Sequence, residues 1–347
     1  MDEAQFLDLI SGRTQSLMAR LLRSLLTGLS LGYAIAMRLR NALFNVGLRR
    51  PQRVGVPVVS IGNLTTGGTG KTPLVALVVD WARAQKLRAG IISRGYRSLS
   101  VAGNDEKLVL ELLCPGVPHV QNRDRIAAAR ELLSTSDADL LVADDAFQHR
   151  RLHRDLDIVL IDALNPFGFG HLLPRGLLRE SRSSLSRADV VILTRANQVT
   201  ESERQAIWCE VRRWKPSVAE IEVAFVPQRM RTRDGRLKEH STEPMLGFCG
   251  IGNPAAFRQT LDEMGVSCVG WREFPDHYHY AAADLAELAT QARESGATAL
   301  VTTLKDLVKL PDSAIEGLPI WAVEIEARVV RGADDLHAAL MQIIPRP

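Results

Sequence analysis

The chain has 347 residues, of which 46% are hydrophobic and 24% are charged, and its formal net charge is +3. At ~150 residues per domain this length predicts two domains, and the apolar fraction excludes a disordered chain. The mild charge argues against a nucleic-acid binder. The four cysteines form no CxxC pair, so we expect a reducing compartment rather than a zinc site or a disulfide framework.

A segment rich in arginine and leucine lies near the start of the chain. Between Ser11 and Gly55 there are eight arginines and no acidic residue. Leucines recur at helical spacing, beside Arg20 and Arg23, at positions 21, 22, 25, 26 and 29. The uncharged stretch at 24–37 is shorter than the roughly 20 apolar residues that cross a bilayer.

Two interpretations of this segment are open. In the first, which we favour, residues 1–50 form an amphipathic segment that lies on an anionic membrane surface, where apolar burial and attraction between arginine and lipid head groups act together. In the second, the helix packs on its own domain and leaves the arginines in solvent.

Short apolar runs alternate with helical patterns over the rest of the chain. The runs lie at 56–62, 89–93, 139–144, 156–162, 188–194, 222–226, 245–250, 298–303 and 320–325, and the clearest helical patterns lie at 72–88 and 282–296. Nearly continuous Val, Ile and Leu is typical of strands buried on both faces. The alternation therefore predicts an α/β fold, with a parallel sheet and helices on both faces.

The domain boundary is predicted from a change in composition. Residues 227–244 are polar and charged and contain a DG turn, which indicates a linker or a hairpin. We therefore predict a core domain over 51–226 and a smaller α/β domain over 245–347.

A glycine-rich loop, IGNLTTGGTGKTP at 61–73, follows the first predicted strand and precedes a predicted helix. Gly67, Gly68 and Gly70 lack side chains, so backbone amides around Thr69 can approach phosphate oxygens at the positive end of the helix. Lys71 is predicted to reach the β- and γ-phosphates of ATP, and Thr72 to ligate Mg²⁺. Thr65 stands where the usual phosphate-loop pattern has a first glycine, and a glycine-rich turn without a ligand is the alternative.

Two carboxylates, Asp144 and Asp145, end the apolar run at 139–144. Ligands of a parallel sheet gather at the carboxyl ends of its strands, so we expect this pair near the phosphate loop, where it could hold Mg²⁺. A solvated strand end is the alternative. The basic run that starts at Gln148 is compatible with a rim for an anionic ligand or with a solvated helix face.

Several motifs now converge on one family. In chain order they are VPVVSIGNLTTGGTGKTP, SRGY (93–96), DDAFQHRRLHRDLDIVLID (144–162), LPRGLLRE (173–180) and FPDHYHY (274–280). Over roughly residues 15–330 the chain resembles the tetraacyldisaccharide 4′-kinases, the lipid A kinases. The resemblance implies transfer of the γ-phosphate of ATP to the 4′-hydroxyl of a tetraacylated glucosamine disaccharide 1-phosphate. It also implies a peripheral location on the cytoplasmic face of the bacterial inner membrane.

The resemblance also implies roles for individual residues. Lys71 and Thr72 match the family's phosphate-loop pair, and Asp144 and Asp145 match its paired aspartates. Gln148, in the same DD motif, is assigned to the nucleotide site.

The remaining roles lie outside the loop and the paired aspartates. Asp105 matches the catalytic base of the family, and Glu106 matches a metal contact. Both lie in a short motif that is one residue longer here because of Asn104. His277 matches the histidine that supports the base. The residues assigned to substrate binding are Arg94, Tyr96 and Arg179.

The sequence departs from the family pattern at Ala146, which replaces glycine, and at Leu304, which replaces glutamate. Asp105 and His277 fall in different predicted domains, so a site between domains is expected, where the Asp–His pair accepts the proton of a sugar hydroxyl.

Two rival functions remain. A membrane-associated ATPase switch would share the loop but would not need FPDHYHY, and a soluble small-molecule kinase would use the first helix only for structure. A nucleic-acid module is disfavoured because aromatic residues are only 5% of the chain.

Overall fold

Strands and helices alternate along the chain as the apolar runs predict. A computed structural model describes residues 3–95, 105–239 and 241–344. The α-helices in these ranges are α1 (Glu3–Ser11), α2 (Leu17–Asn45), α3 (Lys71–Ala84), α4 (Asp105–Leu113), α5 (Arg125–Thr135), α6 (Glu201–Arg212), α7 (Pro254–Glu263), α8 (Ala282–Glu294), α9 (Leu304–Leu307) and α10 (Ala333–Gln342). The strands are β1 (Val58–Asn63), β2 (Ala89–Ser93), β3 (His119–Gln121), β4 (Leu140–Asp144), β5 (Leu156–Asp162), β6 (Val190–Thr194), β7 (Ile221–Arg231), β8 (Leu237–Lys238), β9 (Met245–Cys249), β10 (Cys268–Glu273), β11 (Ala299–Thr303), β12 (Ala314–Ile315) and β13 (Leu318–Arg331).

The described residues form two compact units whose boundaries differ from the predicted domains. The first unit contains residues 3–95, 116–224 and 328–344, and the second contains 105–115, 225–239 and 241–327. The predicted boundaries instead assign 105–115 to the domain of the phosphate loop and 328–344 to the second domain. The difference has a packing cause, since α4 buries Val109 in the core of the second unit, beside Leu246 and Phe248.

The first unit is built on a parallel sheet whose strand order is β7–β6–β5–β1–β4–β2–β3. Its central strand, β1, is buried along its whole length and lies between β4 and β5. Ile61 of β1 pairs with Asp144 of β4, so the carboxyl ends of these strands meet at one edge. The predicted parallel α/β fold is therefore confirmed, and its loop-bearing edge is where ligands of such sheets bind.

The second unit has its own parallel strands, in the order β10–β9–β11–β13. Helices α8 and α9 cover one core with Leu288 and Leu307, and α7 contributes Phe257 to another. Within the segment predicted as a linker or hairpin, the end of β7 pairs antiparallel with β8 through Met230 and Lys238, which is a hairpin.

Helix α2 has an apolar face that does not pack on the protein. The large apolar side chains that stay exposed on it include Leu21, Leu25 and Leu29, which are 58%, 61% and 55% exposed. These leucines therefore do not pack on their own domain, although the helix itself contacts that domain through its other face. None of the helices in the described ranges combines the length and apolarity that a membrane crossing requires.

The opposite face of α2 contacts the rest of the first unit through both polar and apolar residues, and its buried residues are Ala19, Ser30 and Phe44. Ser30 donates to the carbonyl of Leu172 at 2.9 Å, and Asn41 donates to the buried carboxylate of Glu180 at 2.9 Å. An ordinary amphipathic helix buries its apolar face. In α2, hydrogen bonds help to hold the inner face, whereas leucines on the outer face stay exposed.

Gly62 of β1 is predicted to tolerate no side chain. A Cβ there would lie 2.6 Å from Cβ of Phe147 and 2.9 Å from its backbone nitrogen. Gly62→Ala should destabilise the first unit by about 1–3 kcal/mol through overpacking, as measured by urea denaturation. Gly28→Ala on α2 is the control, because a Cβ there meets nothing within 4 Å and should cost no stability. Equal denaturation midpoints for the two variants would contradict the prediction.

Candidate functional site

The glycine-rich loop joins the end of β1 to the start of α3, as predicted. Gly67 and Gly70 have φ of 109° and 83°, a region that favours glycine, and Gly70 is the residue that precedes α3. A Cβ added at Gly67 or Gly68 would meet no atom within 4 Å, so no side chain fills the space beside them. Helix α3 begins at Lys71 and is 14 residues long, so the positive end of its dipole lies at the loop.

Buried polar atoms near this loop lack partners. Within the described part of the chain, Nδ2 of Asn63, Oγ1 of Thr69 and Oε1 of Gln148 are buried with no hydrogen-bond partner. The other amide atom of Gln148, Nε2, donates to the carbonyl of Asn63 at 2.8 Å. Because unpaired buried polar groups are rare in proteins, this cluster indicates a place where a polar ligand or water binds.

Asp145 is held by two cations. Nη1 of Arg179 donates to both carboxylate oxygens, at 2.9 and 2.8 Å, and Nζ of Lys71 lies 3.6 Å from Oδ1. Burial on its own raises the pKa of this carboxyl, but Lys71 and Arg179 outweigh it and hold the pKa below its usual value. Asp145 is therefore ionised, and its oxygens are shared with the cations rather than open to a metal alone.

Asp144 and Asp145 also depend on a buried arginine that sequence reasoning missed. Arg125, the first residue of α5, is 2% exposed, and its Nη2 lies 3.3 Å from the carbonyl of Asp144 and 3.4 Å from that of Asp145. Burial lowers the pKa of Arg125 to about 10, opposed by the two aspartates. Asp145 has a φ of 51°, a conformation that costs energy outside glycine, so these bonds help to hold a strained turn.

The end of β6 contributes a second arginine that was not predicted. Arg195 forms an ion pair with Asp162 at the end of β5 and donates to the carbonyl of Gly68 at 2.9 Å. The preceding residue, Thr194, donates to the carbonyl of Thr69 at 3.1 Å. The rule that ligands collect at the carboxyl ends of parallel strands could have identified this position.

The inner face of α2 reaches the same site. The hydroxyl of Tyr33 donates to the carbonyl of Arg179 at 2.8 Å, and Arg40 donates to the carbonyl of Gln148. Burial raises the pKa of Tyr33, with the charge of Glu180 adding to the effect, so the hydroxyl keeps its proton. The helix with the exposed leucines therefore fixes the backbone beside Asp145.

The second unit brings together Asp105 and His277. Asp105 is the first residue of α4, and Nδ1 of His277 lies 3.8 Å from its Oδ2. His277 has a φ of 59°, and its backbone nitrogen donates to the carbonyl of Gly250 at 3.2 Å. The expectation that this pair spans two domains is wrong, because α4 packs in the same unit as His277.

The other predicted residues are placed as follows. Glu106 is exposed on α4 in the second unit, and Arg94 is exposed directly after β2 in the first. Thr72 is the second residue of α3. Tyr96 lies outside the described residues.

Comparisons with known proteins agree on one family. The family model for tetraacyldisaccharide-1-P 4′-kinase matches residues 22–345. The tetraacyldisaccharide 4′-kinase of Anaeromyxobacter sp. (strain Fw109-5) is 38% identical over 334 residues, 88% of each chain, and that of Syntrophus aciditrophicus (strain SB) is 35% identical over 333 residues, 88% of this chain and 89% of the other. A crystal structure of "apo" form LpxK from Aquifex aeolicus in complex with ATP has a TM-score of 0.75 and 27% identity, and the match covers 93% of this chain and 100% of that one.

The stability of the first unit is predicted to fall in mild acid through His149. Burial, with the charge of Arg125, lowers the pKa of His149 from 6.5 to about 4. Between these values the unfolded chain binds a proton that the folded chain does not, so stability is lost as the pH falls. His149→Gln should reduce the loss between about pH 7 and about pH 5 by about 1–2 kcal/mol, allowing for the solvent-exposed part of the ring. Urea denaturation at both pH values measures it.

A matched control is His279→Gln, which alters an exposed histidine. This variant should lose the same stability in acid as the parent chain. If His149→Gln also keeps the full acid sensitivity of the parent, His149 is not the group responsible.

Proposed function

The chain belongs to the tetraacyldisaccharide-1-P 4′-kinase family, and from this premise we propose how its residues carry out the reaction. It is an ATP-dependent kinase that phosphorylates the 4′-hydroxyl of a tetraacyldisaccharide 1-phosphate, a step of lipid A biosynthesis. The observation that carries this function is the glycine loop at the N-terminus of α3, with Lys71 beside the Asp145 turn.

ATP binds through the loop of the first unit in this proposal. Backbone amides of residues 67–72 and the dipole of α3 stabilise the charge of the phosphates. The ammonium of Lys71 lies near the carboxylate of Asp145 and the side-chain oxygen of Asn63. From there it supplies a movable positive charge to the β- and γ-phosphates. The unpaired Asn63 and Thr69 atoms offer further hydrogen bonds to the ligand or its waters.

Thr72 and Asp144 fit a magnesium site. Thr72 is the second residue of α3, directly after the glycine loop, and Asp144 ends β4, which pairs with β1. They supply a hydroxyl and a carboxylate, which are oxygen ligands that magnesium takes beside nucleotide phosphates. Bound there, magnesium would neutralise phosphate charge during transfer. Asp145 acts through Lys71 and Arg179 in this proposal, and Glu106 remains a proposed metal contact from the resemblance alone.

Asp105 accepts the proton of the acceptor hydroxyl in this proposal. A sugar hydroxyl is a weak nucleophile, so transfer depends on positioning and on a base that takes the proton as the new O–P bond forms. His277 lies close enough to orient the carboxylate of Asp105 or to share that proton. Arg94 and Tyr96 are proposed contacts of the anionic acceptor, and Arg179 is proposed to act there together with Asp145.

The outer face of α2 is the proposed membrane contact. Its exposed leucines lie beside arginines such as Arg20, and acylated disaccharides reside in a bilayer. Apolar burial and attraction to anionic head groups both favour a helix lying in the interface. We therefore propose a peripheral location on the cytoplasmic face of the bacterial inner membrane.

The function is tested by acceptor dependence. Purified chain with ATP should transfer phosphate to a tetraacyldisaccharide 1-phosphate, and ATP consumption should rise strongly when that lipid is added. A membrane-associated ATPase switch would instead hydrolyse ATP at the same rate with or without the acceptor.

Replacement of the base is predicted to stop transfer without loss of nucleotide binding. Asp105→Asn keeps the shape of the side chain and removes its basicity, so kcat should fall roughly 10²- to 10⁴-fold. The matched control is Glu111→Gln on the exposed side of the same helix, which should remain active. Near-native turnover of Asp105→Asn, in an assay that follows phosphate transfer to the lipid, would show that Asp105 is not the base.

Loss of the apolar face of α2 is predicted to weaken membrane binding. The triple variant Leu21→Gln, Leu25→Gln and Leu29→Gln removes three exposed side chains and should reduce flotation with vesicles containing anionic phospholipid. The control is a triple variant of similarly exposed residues elsewhere, Leu237→Gln, Val269→Gln and Val330→Gln. If both triple variants float with vesicles to the same extent, α2 does not anchor the protein.

A further inference from the structure

A buried ion pair lies directly behind the Asp105–His277 pair in the second unit. The side chains of Lys309 and Asp306 are 4% and 0% exposed, and Nζ of Lys309 lies 3.2 Å from Oδ1 of Asp306. The same ammonium lies 3.8 Å from Oδ2 of Asp105. Oδ2 of Asp105 is thus approached at 3.8 Å by both Lys309 and Nδ1 of His277.

Asp306 also contacts the backbone segment to which His277 is hydrogen-bonded. Its Oδ2 accepts hydrogen bonds from the amide of Gly250 at 3.1 Å and the hydroxyl of Thr303 at 2.8 Å. The carbonyl of Gly250 accepts the amide of His277 at 3.2 Å. The carboxylate of Asp306 therefore supports two residues. It supports Asp105 through Lys309, and it supports His277 through Gly250.

Stability alone is a weak explanation for this arrangement. Two buried charges lose their hydration, and their mutual attraction often does no more than offset that loss, so apolar residues can replace such pairs without destabilising the fold. Lys309, however, faces two carboxylates, and the second of them is the proposed base. A fixed charge beside a reacting group restrains its geometry and needs no reorganisation during the reaction.

We propose that Lys309 is a positioning residue that holds the carboxylate of Asp105 in the orientation in which it accepts the acceptor's proton, with Asp306 fixing Lys309. This inference rests on the proposed role of Asp105. Lys309 touches neither ATP nor the phosphate loop in this proposal, so its removal affects the transfer step and not nucleotide binding.

The test compares two lysines on either side of Asp306. Lys309→Met removes the buried ammonium and keeps the chain length, whereas Lys305→Met makes the same change at an exposed position. Lys309→Met should lower kcat for phosphate transfer roughly 10- to 100-fold, a part of what a general base contributes, with KM for ATP unchanged. Lys305→Met should match the parent chain, and Lys309→Arg, which keeps the charge, should recover part of the rate.

A second pair of variants separates positioning from folding. Lys309→Met leaves Asp306 without its cation, so the double variant Lys309→Met, Asp306→Asn removes both charges and serves as the neutral form. It should bind ATP with the parent's affinity and still show the lowered kcat. Recovery of the parent's kcat in this double variant would overturn the proposal, because an uncompensated buried charge would then explain the single variant.

The coupling to Asp105 is measured directly in single-turnover assays. In an Asp105→Ala background, Lys309→Met should cause no further loss if it acts through Asp105, and an undiminished further loss would overturn the inference. If Asp105→Ala is inactive while Lys309→Met turns over at the parent rate, only this inference fails. If Asp105→Ala keeps its activity, the proposed base fails and this inference with it.

Discussion

The ionised carboxylate of Asp145, held in a strained turn between Lys71 and Arg179, is the interaction around which the first unit is arranged. Arg125 supports the turn by donating hydrogen bonds to the backbone carbonyls of Asp144 and Asp145. A non-glycine residue with positive φ is strained, so it persists only where surrounding contacts hold the turn in place. Arg125 supplies such contacts, and the same hydrogen bonds pair its buried charge. The result is a group of charged side chains beside the glycine loop, where the phosphates of ATP are proposed to bind.

Helix α2 connects the residues around Asp145 to the protein surface. Its inner face donates hydrogen bonds to the backbone at Arg179 and Gln148, and its outer face carries exposed leucines. The polar groups on the inner face of α2 are paired, so their burial against the protein carries little penalty. The same hydrogen bonds link the proposed membrane-contacting face to the residues that position Asp145.

The second unit uses a buried polar network for a comparable purpose. Asp306, Lys309 and Thr303 are paired with one another or with backbone, and the network reaches both Asp105 and His277. Burial and the nearby charge of Asp306 raise the pKa of Tyr280 in the same unit and keep its hydroxyl protonated. Buried networks of this kind are stable only when nearly every member is paired, so they fix geometry more strictly than apolar packing does.

Much of the local structure could be predicted from the sequence, because strand and helix periodicity, the glycine loop and the acidic strand end are set by residues close in the chain. The family resemblance named Asp105 and His277, yet their shared unit emerged only from the packing of α4 on the second core. Arg125 and Lys309 carry no signal in the sequence that identifies their role, because Arg125 bonds to the backbone at the end of β4 and Lys309 lies beside Asp105 of α4. Periodicity places the leucines of α2 on one face, but whether that face meets protein or solvent depends on what the rest of the chain presents to it, and only the tertiary structure decided that.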